Sequence, residues 1–286
     1  MTEVEAFAPA KINLALHVTG QREDGYHLLD SIVAFADYGD TIVVRPSETL
    51  DLTIEGPFGQ GLEPDENNLV LRAARFLDPT GTAEITLIKR LPLASGIGGG
   101  SADAAAALRA LSALWNVPLP PVETCAALGA DVPVCLASVF SRMSGIGDKI
   151  APLGDAPDLD IVLINPGVAV PTPAIFKGLS SKDNAPLSPV PASGAERWLD
   201  WLQDQRNDLE APAIAAEPVI ADALEELRGM PDCRLARMSG SGATCFALFE
   251  RGGTPLSAVE AIKARHPKWW VTPTRLTHKQ PSVKIS

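Results

Sequence analysis

The sequence contains few of the residues that build metal sites and disulfide frameworks. Only 4 cysteines and 4 histidines occur among its 286 residues, and no two cysteines form a CxxC pair. Isolated cysteines of this kind are typical of small buried residues in a reducing compartment. No apolar run approaches the ~18 residues that a membrane-spanning helix needs. These absences argue against a zinc-binding domain, a disulfide-stapled secreted domain and an integral membrane protein.

Positive charge is also scarce. The chain has 24 Lys and Arg residues against 35 Asp and Glu, which gives a formal net charge of -11. Nucleic acids and anionic membranes favour clustered lysine and arginine, so we expect neither as a partner. The first residues, MTEVEAFAPAK, lack the basic-then-apolar order of a signal peptide. The acidic balance is compatible with a local basic pocket for one small phosphate compound. We expect a cytoplasmic protein, either a monomer or a homodimer.

Hydrophobic periodicity predicts strands mixed with helices, in an α+β or mixed α/β architecture. Alternation over residues 11–18 predicts a half-buried strand, and residues 30–46 predict two strand-like pieces around Tyr38-Gly39-Asp40. The composition shifts near residues 150–158. This shift predicts two domains, residues 1–152 and 153–286.

A glycine-rich loop precedes the strongest helix signal. The segment from Leu91 to Leu114 reads LPLASGIGGGSADAAAALRALSAL. Glycines allow positive φ and close approach to a ligand, and the first N–H groups of a helix lack partners at the positive end of its dipole. Such a loop favours phosphate binding. Ser101 could cap the helix or bind an oxygen ligand, and a plain strand-to-helix connector is the alternative.

Two common phosphate motifs do not fit this loop. A Walker loop requires a lysine after its last glycine, and none follows here. A dinucleotide fingerprint requires an acidic residue ~20 positions further on, where this chain has Pro118 to Pro121. The loop is therefore a phosphate-binding candidate of another kind.

Three motifs occur in a defined order. The first reads PAKINLALHVTGQREDGYHLLDSI, the glycine loop is the second, and the third reads MSGSGATCFALF. In this order they resemble the GHMP kinase superfamily. The first motif, together with GADVPV at 129–134 and PTPAIF at 171–176, is similar to one branch of it. That branch phosphorylates a cytidine-diphosphate methylerythritol on its 2-hydroxyl, in the non-mevalonate isoprenoid pathway. The resemblance spans about residue 8 to about residue 250.

The resemblance implies a fold and a reaction. The fold would be the two-domain α+β GHMP kinase fold, with a mixed-sheet N-terminal domain, a ferredoxin-like C-terminal domain and the active site between them. The phosphoryl donor would be ATP, and Mg²⁺ would arrive with it. No metal-binding residues are assigned, because a phosphate-bound magnesium ion keeps much of its water.

Two residues are implied to be catalytic. Asp131 would accept the proton of the substrate hydroxyl, and Lys11 would offset the charge that develops beside it. Taken without the resemblance, Asp131 reads as a helix cap before Val132-Pro133 and Lys11 as a charge at a strand edge.

The remaining site residues are implied by the same resemblance. Acceptor binding would involve an amide, the hairpin residues, an aromatic and the third motif: Asn13, Tyr26, His27, Phe176, Gly240 and Ser241. ATP binding would involve Pro92, Leu93, Ala94, Ser95, Gly96, Ile97, Gly98, Gly99, Gly100, Ser101, Ala102, Asn68 and Lys89. The bland alternatives are a solvated strand face for Asn13, a hydrophobic lid and a capped turn for Tyr26 and His27, and a simple hairpin turn for the third motif.

Two other functions compete with this one. Another GHMP kinase would act on a mevalonate-type compound, homoserine or a sugar, none of which offers a nucleobase to Tyr26, His27 and Phe176. A nucleotide-binding regulator on the same scaffold would have no use for Lys11 and Asp131. The DGYH turn and these two residues favour the kinase of a cytidine compound.

Overall fold

The computed structural model describes residues 2–191, 194–277 and 280–286. Its strands are β1 (Val4–Gln21), β2 (His27–Arg45), β3 (Leu50–Glu55), β4 (Ala83–Ile88), β5 (Ser141–Gly145), β6 (Lys149–Pro152), β7 (Leu159–Asn165), β8 (Leu235–Met238), β9 (Cys245–Glu250), β10 (Trp270–Arg275) and β11 (Val283–Ile285). Its α-helices are α1 (Leu69–Leu77), α2 (Gly99–Trp115), α3 (Val132–Ala137), α4 (Thr172–Lys177), α5 (Ala195–Gln203), α6 (Glu210–Ala216), α7 (Val219–Arg228) and α8 (Leu256–Arg265), and a 3₁₀ helix spans Val122–Ala127. No helix in these ranges is long and apolar enough to cross a bilayer.

The first sheet is mixed, as predicted. Its order is β11–β1–β2–β4–β3, with β5 on another part of β2 and β6 on β5. The β3–β4 pair is parallel and the other pairs are antiparallel. Helix α2 packs on β1 and β2. The alanines in its first turns, Ala102 and Ala104 to Ala107, are at most 1% exposed, so their small side chains let the helix lie close to the sheet.

The second sheet has the ferredoxin-like arrangement. It is antiparallel throughout, with the order β10–β7–β9–β8, and α4 to α7 separate β7 from β8. That order is the one produced by a β-α-β-β-α-β chain, in which the first and third strands are central. The last strand, β11, returns to the first sheet and pairs with β1.

Two details of the predicted strands are wrong. Residues 30–46 do not form two pieces, because β2 continues through Gly39. A Cβ at Gly39 would lie 2.0 Å from the Ala8 carbonyl oxygen, so the glycine marks a close approach of two strands and not a break. The strand predicted to be half-buried, within β1, is buried on both faces. Even its polar residues Lys11 and Asn13 are 4% and 1% exposed.

Candidate active site

A cleft of about 1370 Å³ is lined by residues from the N-terminal and the C-terminal halves of the chain. The predicted site residues line it with two exceptions, Ile97 and Ala102, which are buried behind the loop. Ile97 still supports the site, since its carbonyl accepts a hydrogen bond from the backbone N–H of Lys11 at 2.9 Å. The structure therefore brings together motifs that are more than a hundred residues apart in the chain.

The glycine loop presents the start of α2 to the cleft. Gly98 is the N-cap residue, in the left-handed conformation with φ 65°, and it makes no side-chain capping bond. Ser101 lies inside the helix, so the suggestion that it caps α2 is wrong. The first N–H groups of α2 point out without a helical partner. Together with the dipole of a 17-residue helix, they give the loop the positive potential that a phosphate needs.

The second and third motifs are joined by hydrogen bonds to backbone carbonyls of the glycine loop. Ser239 donates its hydroxyl to the Gly96 carbonyl at 3.1 Å, and Thr244 N–H donates to the Ser95 carbonyl at 3.1 Å. A Cβ at Gly240, whose φ is 56°, would lie 2.6 Å from the Gly96 oxygen. Glycine at 240 is thus required by the approach of the two loops. The alternative of a simple hairpin turn does not explain this contact.

Lys11 and Asp131 form an ion pair in the cleft. Lys11 Nζ donates to Asp131 Oδ2 at 2.7 Å, with the lysine side chain 5% and the aspartate side chain 34% exposed. Asp131 stands at the N-cap position of α3, yet its side chain makes no capping bond. At Lys11 one side of β1 pairs with β2, and the other side is covered by the glycine loop, because β11 pairs with β1 only at Val4–Ala6. The lysine is 4% exposed, so it is not a solvated charge at an open strand edge. The carboxylate is held by a cation while remaining accessible from the cleft.

Asn13 places an unused acceptor beside this pair. Its Nδ2 donates to Ser31 Oγ at 2.8 Å, and Ser31 in turn donates to the Ala15 carbonyl at 2.6 Å. This chain fixes the amide orientation and leaves Asn13 Oδ1 buried with no protein donor in the described residues. A buried acceptor without a donor is costly unless a ligand supplies one. The solvated strand face suggested as an alternative for Asn13 is wrong, since the residue is 1% exposed.

Lys89 lies beneath the glycine loop in a buried charge cluster. Its Nζ contacts Asp40 Oδ2 at 2.5 Å and Asp103 Oδ2 at 2.7 Å. The other Asp40 oxygen accepts from the backbone N–H groups of Arg90 and Leu91, which lead into the loop. Asp40 therefore fixes the loop's first residues, and Lys89 links them to the first turns of α2 through Asp103.

The cluster has one more negative group than positive, which perturbs its protonation. Burial raises the pKa of Asp103 to about 8, with the nearby Asp40 charge adding to the effect and Lys89 opposing it. For Lys89, burial lowers the pKa, but the two carboxylates outweigh it and the net direction is upward. Asp103 Oδ1 has no partner among the described residues. Lys89 stays charged, and Asp103 is the group that retains a proton most readily.

An aromatic pair stands at the other end of the cleft. His27 stacks on Phe176 of α4 with ring centroids 4.6 Å apart and an interplanar angle of 24°. His27 Nε2 is buried without a partner in the described residues, and burial first, then the Lys182 charge, lowers the pKa of the ring. Tyr26, at the hairpin, is 61% exposed. A neutral ring with a free nitrogen beside an aromatic face suits a planar heterocycle.

The remaining predicted residues line the walls between these ends. Asn68 is the N-cap of α1, where its side chain accepts from Val70 N–H. Ser241 Oγ lies 2.8 Å from Thr172 Oγ1, so the third motif is joined to α4 as well as to the glycine loop.

Several residues of the site were not selected from the sequence. Asp40, Ser31, Thr172 and Ser239 act through partners 18 to 226 positions away, and no local pattern marks such pairs. Asp103 was visible as a carboxylate early in α2, but nothing in the sequence indicated its contact with Lys89. No group of three or more His, Cys, Asp or Glu suited to a metal ion occurs among residues 2–191, 194–277 and 280–286.

Two family models match the chain. Residues 68–148 match the family model of the GHMP kinases N terminal domain, and residues 192–268 match that of the GHMP kinases C terminal. A protein of Ruegeria pomeroyi named 4-diphosphocytidyl-2-C-methyl-D-erythritol kinase is 58% identical over 93% of this chain and 97% of its own length. A protein of the same name from Cereibacter sphaeroides is 56% identical over 95% and 99%.

Solved structures of kinases align with almost the whole chain. A crystal structure of 4-(cytidine 5'-diphospho)-2C-methyl-D-erythritol kinase aligns with a TM-score of 0.78 at 34% identity, over 95% of this chain and 99% of that chain. The homoserine kinase of Cytophaga hutchinsonii aligns with a TM-score of 0.72 at 20% identity, over 99% and 97%, which is a likeness of fold.

Proposed function

Because this chain belongs to the GHMP kinase family, we propose that its cleft transfers the γ-phosphoryl group of ATP to the 2-hydroxyl of 4-diphosphocytidyl-2-C-methyl-D-erythritol. The products are ADP and the 2-phosphate, and the reaction belongs to the non-mevalonate route to isoprenoid precursors. The chain is an ATP-dependent kinase of the same kind as its named relatives. The observation that carries the proposal is the Lys11–Asp131 pair at 2.7 Å, between a phosphate loop and an aromatic base site.

Asp131 is the proposed general base. Phosphoryl transfer depends mainly on positioning and on charge stabilisation, and the attacking hydroxyl must lose its proton during the step. The Asp131 carboxylate faces the cleft, and Lys11 holds it in one orientation. As the proton passes to Asp131, the Lys11 ammonium is free to stabilise negative charge on the transferring group. Asn13 Oδ1, which is fixed by Ser31, accepts a hydrogen bond from the acceptor and orients it.

The glycine loop is the proposed ATP phosphate site. Its N–H groups at the start of α2 bind phosphate oxygens, and the absence of Cβ atoms lets the phosphates approach. Asn68 and Lys89 border the same part of the cleft. Lys89 contributes by anchoring the loop, since its ammonium is already engaged by Asp40 and Asp103.

Magnesium fits this site as a companion of ATP. Without a cluster of three or more ligating side chains in the described residues, the ion would be held largely by phosphate oxygens and water, with the Ser101 hydroxyl and the Asp131 carboxylate as the nearby protein oxygens. When bound, magnesium neutralises phosphate charge.

The hairpin end is the proposed cytosine site. His27 Nε2 offers a hydrogen bond to the ring edge, while Phe176 and Tyr26 offer aromatic faces. We place the enzyme in the cytoplasm as a monomer or a homodimer that acts on this small molecule. The acidic balance, with a net charge of -11, supports the absence of a nucleic-acid partner.

The test is ADP release by the purified protein with ATP and magnesium. The acceptors to compare are the cytidine-diphosphate methylerythritol, mevalonate, homoserine and galactose. We expect turnover with the cytidine compound alone. Turnover with another acceptor would refute the substrate while keeping the kinase, and ATP binding without any turnover would favour a regulator.

A further inference from the structure

Residues 179–191 form a segment that we call the strap. It is rich in serine and proline and contains no helix or strand, yet it is anchored to the first sheet. Leu187 is 4% exposed, and its N–H donates to Asp30 Oδ2 at 2.9 Å. Asp30 itself is held by two bonds from Arg142. A buried carboxylate paired with arginine and bonded to the strap's backbone fixes this end of the segment.

A second anchor uses His17, which is 1% exposed. Its Nε2 lies 3.2 Å from the Arg206 N–H, and its Nδ1 lies 3.0 Å from the Ala185 carbonyl. An amide N–H can only donate, so Nε2 is the acceptor and Nδ1 carries the hydrogen. Asn184 adds bonds to the Val18 carbonyl and to Asp208. The strap therefore has one defined course along β1, although its composition is that of a surface loop.

The anchored strap holds Lys182 at the wall of the cleft. Lys182 Nζ donates to Gln21 Oε1 at 3.1 Å, and Gln21 Nε2 donates to the Gly25 carbonyl at 2.9 Å. Gly25 belongs to the turn that leads into Tyr26 and His27. Lys182 is thus tied to the hairpin of the base site and lines the same cleft.

The charges of the cleft are unevenly compensated. Four lysines line it, and two of them, Lys11 and Lys89, have carboxylate partners. Lys177 and Lys182 make no ion pair with any described residue. Lys177 follows Phe176 at the end of α4, and the charge of Lys182 acts on His27, so both lysines without an ion pair belong to the aromatic end of the cleft. The carboxylate lining that end, Asp24, is paired with Arg22 at 2.7 Å.

We propose that Lys182, together with Lys177, binds the diphosphate that joins cytidine to methylerythritol in the acceptor, and that the strap serves to hold Lys182 there. This inference rests on the proposed function, because only an acceptor with a diphosphate needs such a site. The diphosphate must lie between the base, at His27 and Phe176, and the hydroxyl, at Asp131. The ATP phosphates use the helix terminus at the far end, so the two lysines remain available to the acceptor.

Binding of cytidine and CDP, measured by titration calorimetry without ATP, separates the base from the diphosphate. The variants are Lys182→Met, Lys177→Met and the double variant, and Lys268→Met is the control because Lys268 is exposed and does not line the cleft. We expect each cleft variant to weaken CDP binding about fivefold, as for a partly solvated ion pair, and to leave cytidine binding unchanged. The control should match the wild type.

Steady-state kinetics give a second readout. We expect the KM of the cytidine-diphosphate methylerythritol to rise in Lys182→Met while the KM of ATP stays the same. An unchanged preference for CDP over cytidine in the double variant would overturn the inference but not the kinase assignment. A wild-type protein that binds neither cytidine nor CDP and turns over no cytidine compound would instead refute the proposed function.

Discussion

Replacing Asp131 by asparagine tests the catalytic assignment directly. The substitution preserves the size of the side chain and keeps an oxygen that can accept the Lys11 hydrogen bond, now 2.7 Å long. The side chain makes no capping bond to α3, so the helix loses nothing that the carboxylate supplied. What the variant loses is a proton acceptor and one negative charge beside Lys11.

The expected magnitude follows from those two losses. A positioned general base contributes roughly 10²–10⁴-fold to a rate, so we expect kcat to fall about 10³-fold, or about 4 kcal/mol in the activation free energy. The affinity for ATP should rise or remain the same. Lys11, whose side chain is 5% exposed, would lose its anionic partner in the variant and become available to the phosphates.

Two measurements separate the outcomes: steady-state ADP release, and ATP affinity by calorimetry. Asp232→Asn is a matched control, because Asp232 is exposed, lies outside the cleft and has a left-handed φ of 59° that asparagine tolerates. A kcat of Asp131→Asn within tenfold of the wild type would refute the role of base. Parallel loss of ATP binding would show that Asp131 supports the site's structure instead.

Three further predictions concern other parts of the site. His27→Ala should raise the acceptor KM about tenfold or more through loss of the stacked ring and its nitrogen, with a smaller effect on the ATP KM; the reverse pattern in initial-rate kinetics would remove His27 from the base site. Gly98→Ala should lower kcat/KM for ATP at least tenfold, because the φ of Gly98 is 65° and the new Cβ would lie 3.2 Å from the Lys11 side chain. The control is Gly252→Ala, where φ is 79° and the space around the new Cβ is open. Equal activity of the two variants would contradict the argument. The contribution of Asp103 to folding stability should fall as the pH rises from 3.8 towards about 8, since folded Asp103 binds its proton more tightly than the unfolded chain does. Over this range the melting temperature of Asp103→Asn should fall less, or rise more, than that of the wild type, and parallel profiles would contradict the raised pKa.

Local sequence signals were sufficient for the parts of the site that depend on local physics. The glycine loop and the alanine-rich helix occur where periodicity and backbone freedom predicted them, and Gly98 adopts the positive φ that such a loop requires. The motif order, and not any single residue, identified the family. Of the two roles suggested for Ser101, the helix cap is wrong, because the helix begins at Gly99 and uses Gly98 as its cap.

Long-range pairs were beyond the reach of those signals. The interpretation of Lys89 as an ATP-binding residue remains a prediction, but the structure gives its ammonium two partners, 49 and 14 residues away. Gly39 looked like a break between strands because glycine punctuates turns more often than it relieves a contact across a strand pair. The strap was indistinguishable from a mobile loop, because its anchors are backbone bonds to buried His17 and Asp30.

The contacts between the motifs lead us to expect that activity depends on all three together. The backbone N–H of Asn13, in the first motif, donates to Ser239 Oγ at 3.0 Å, and Ser239 donates to Gly96 of the second. One serine hydroxyl of the third motif thus joins the strand that carries Lys11 to the loop that we propose binds the phosphates. A displacement of any one motif would therefore change the distance between the proposed base and the proposed phosphate site. Because misplacement by about 1 Å can cost ~10²-fold in rate, these shared hydrogen bonds position the reacting groups as well as stabilise the fold.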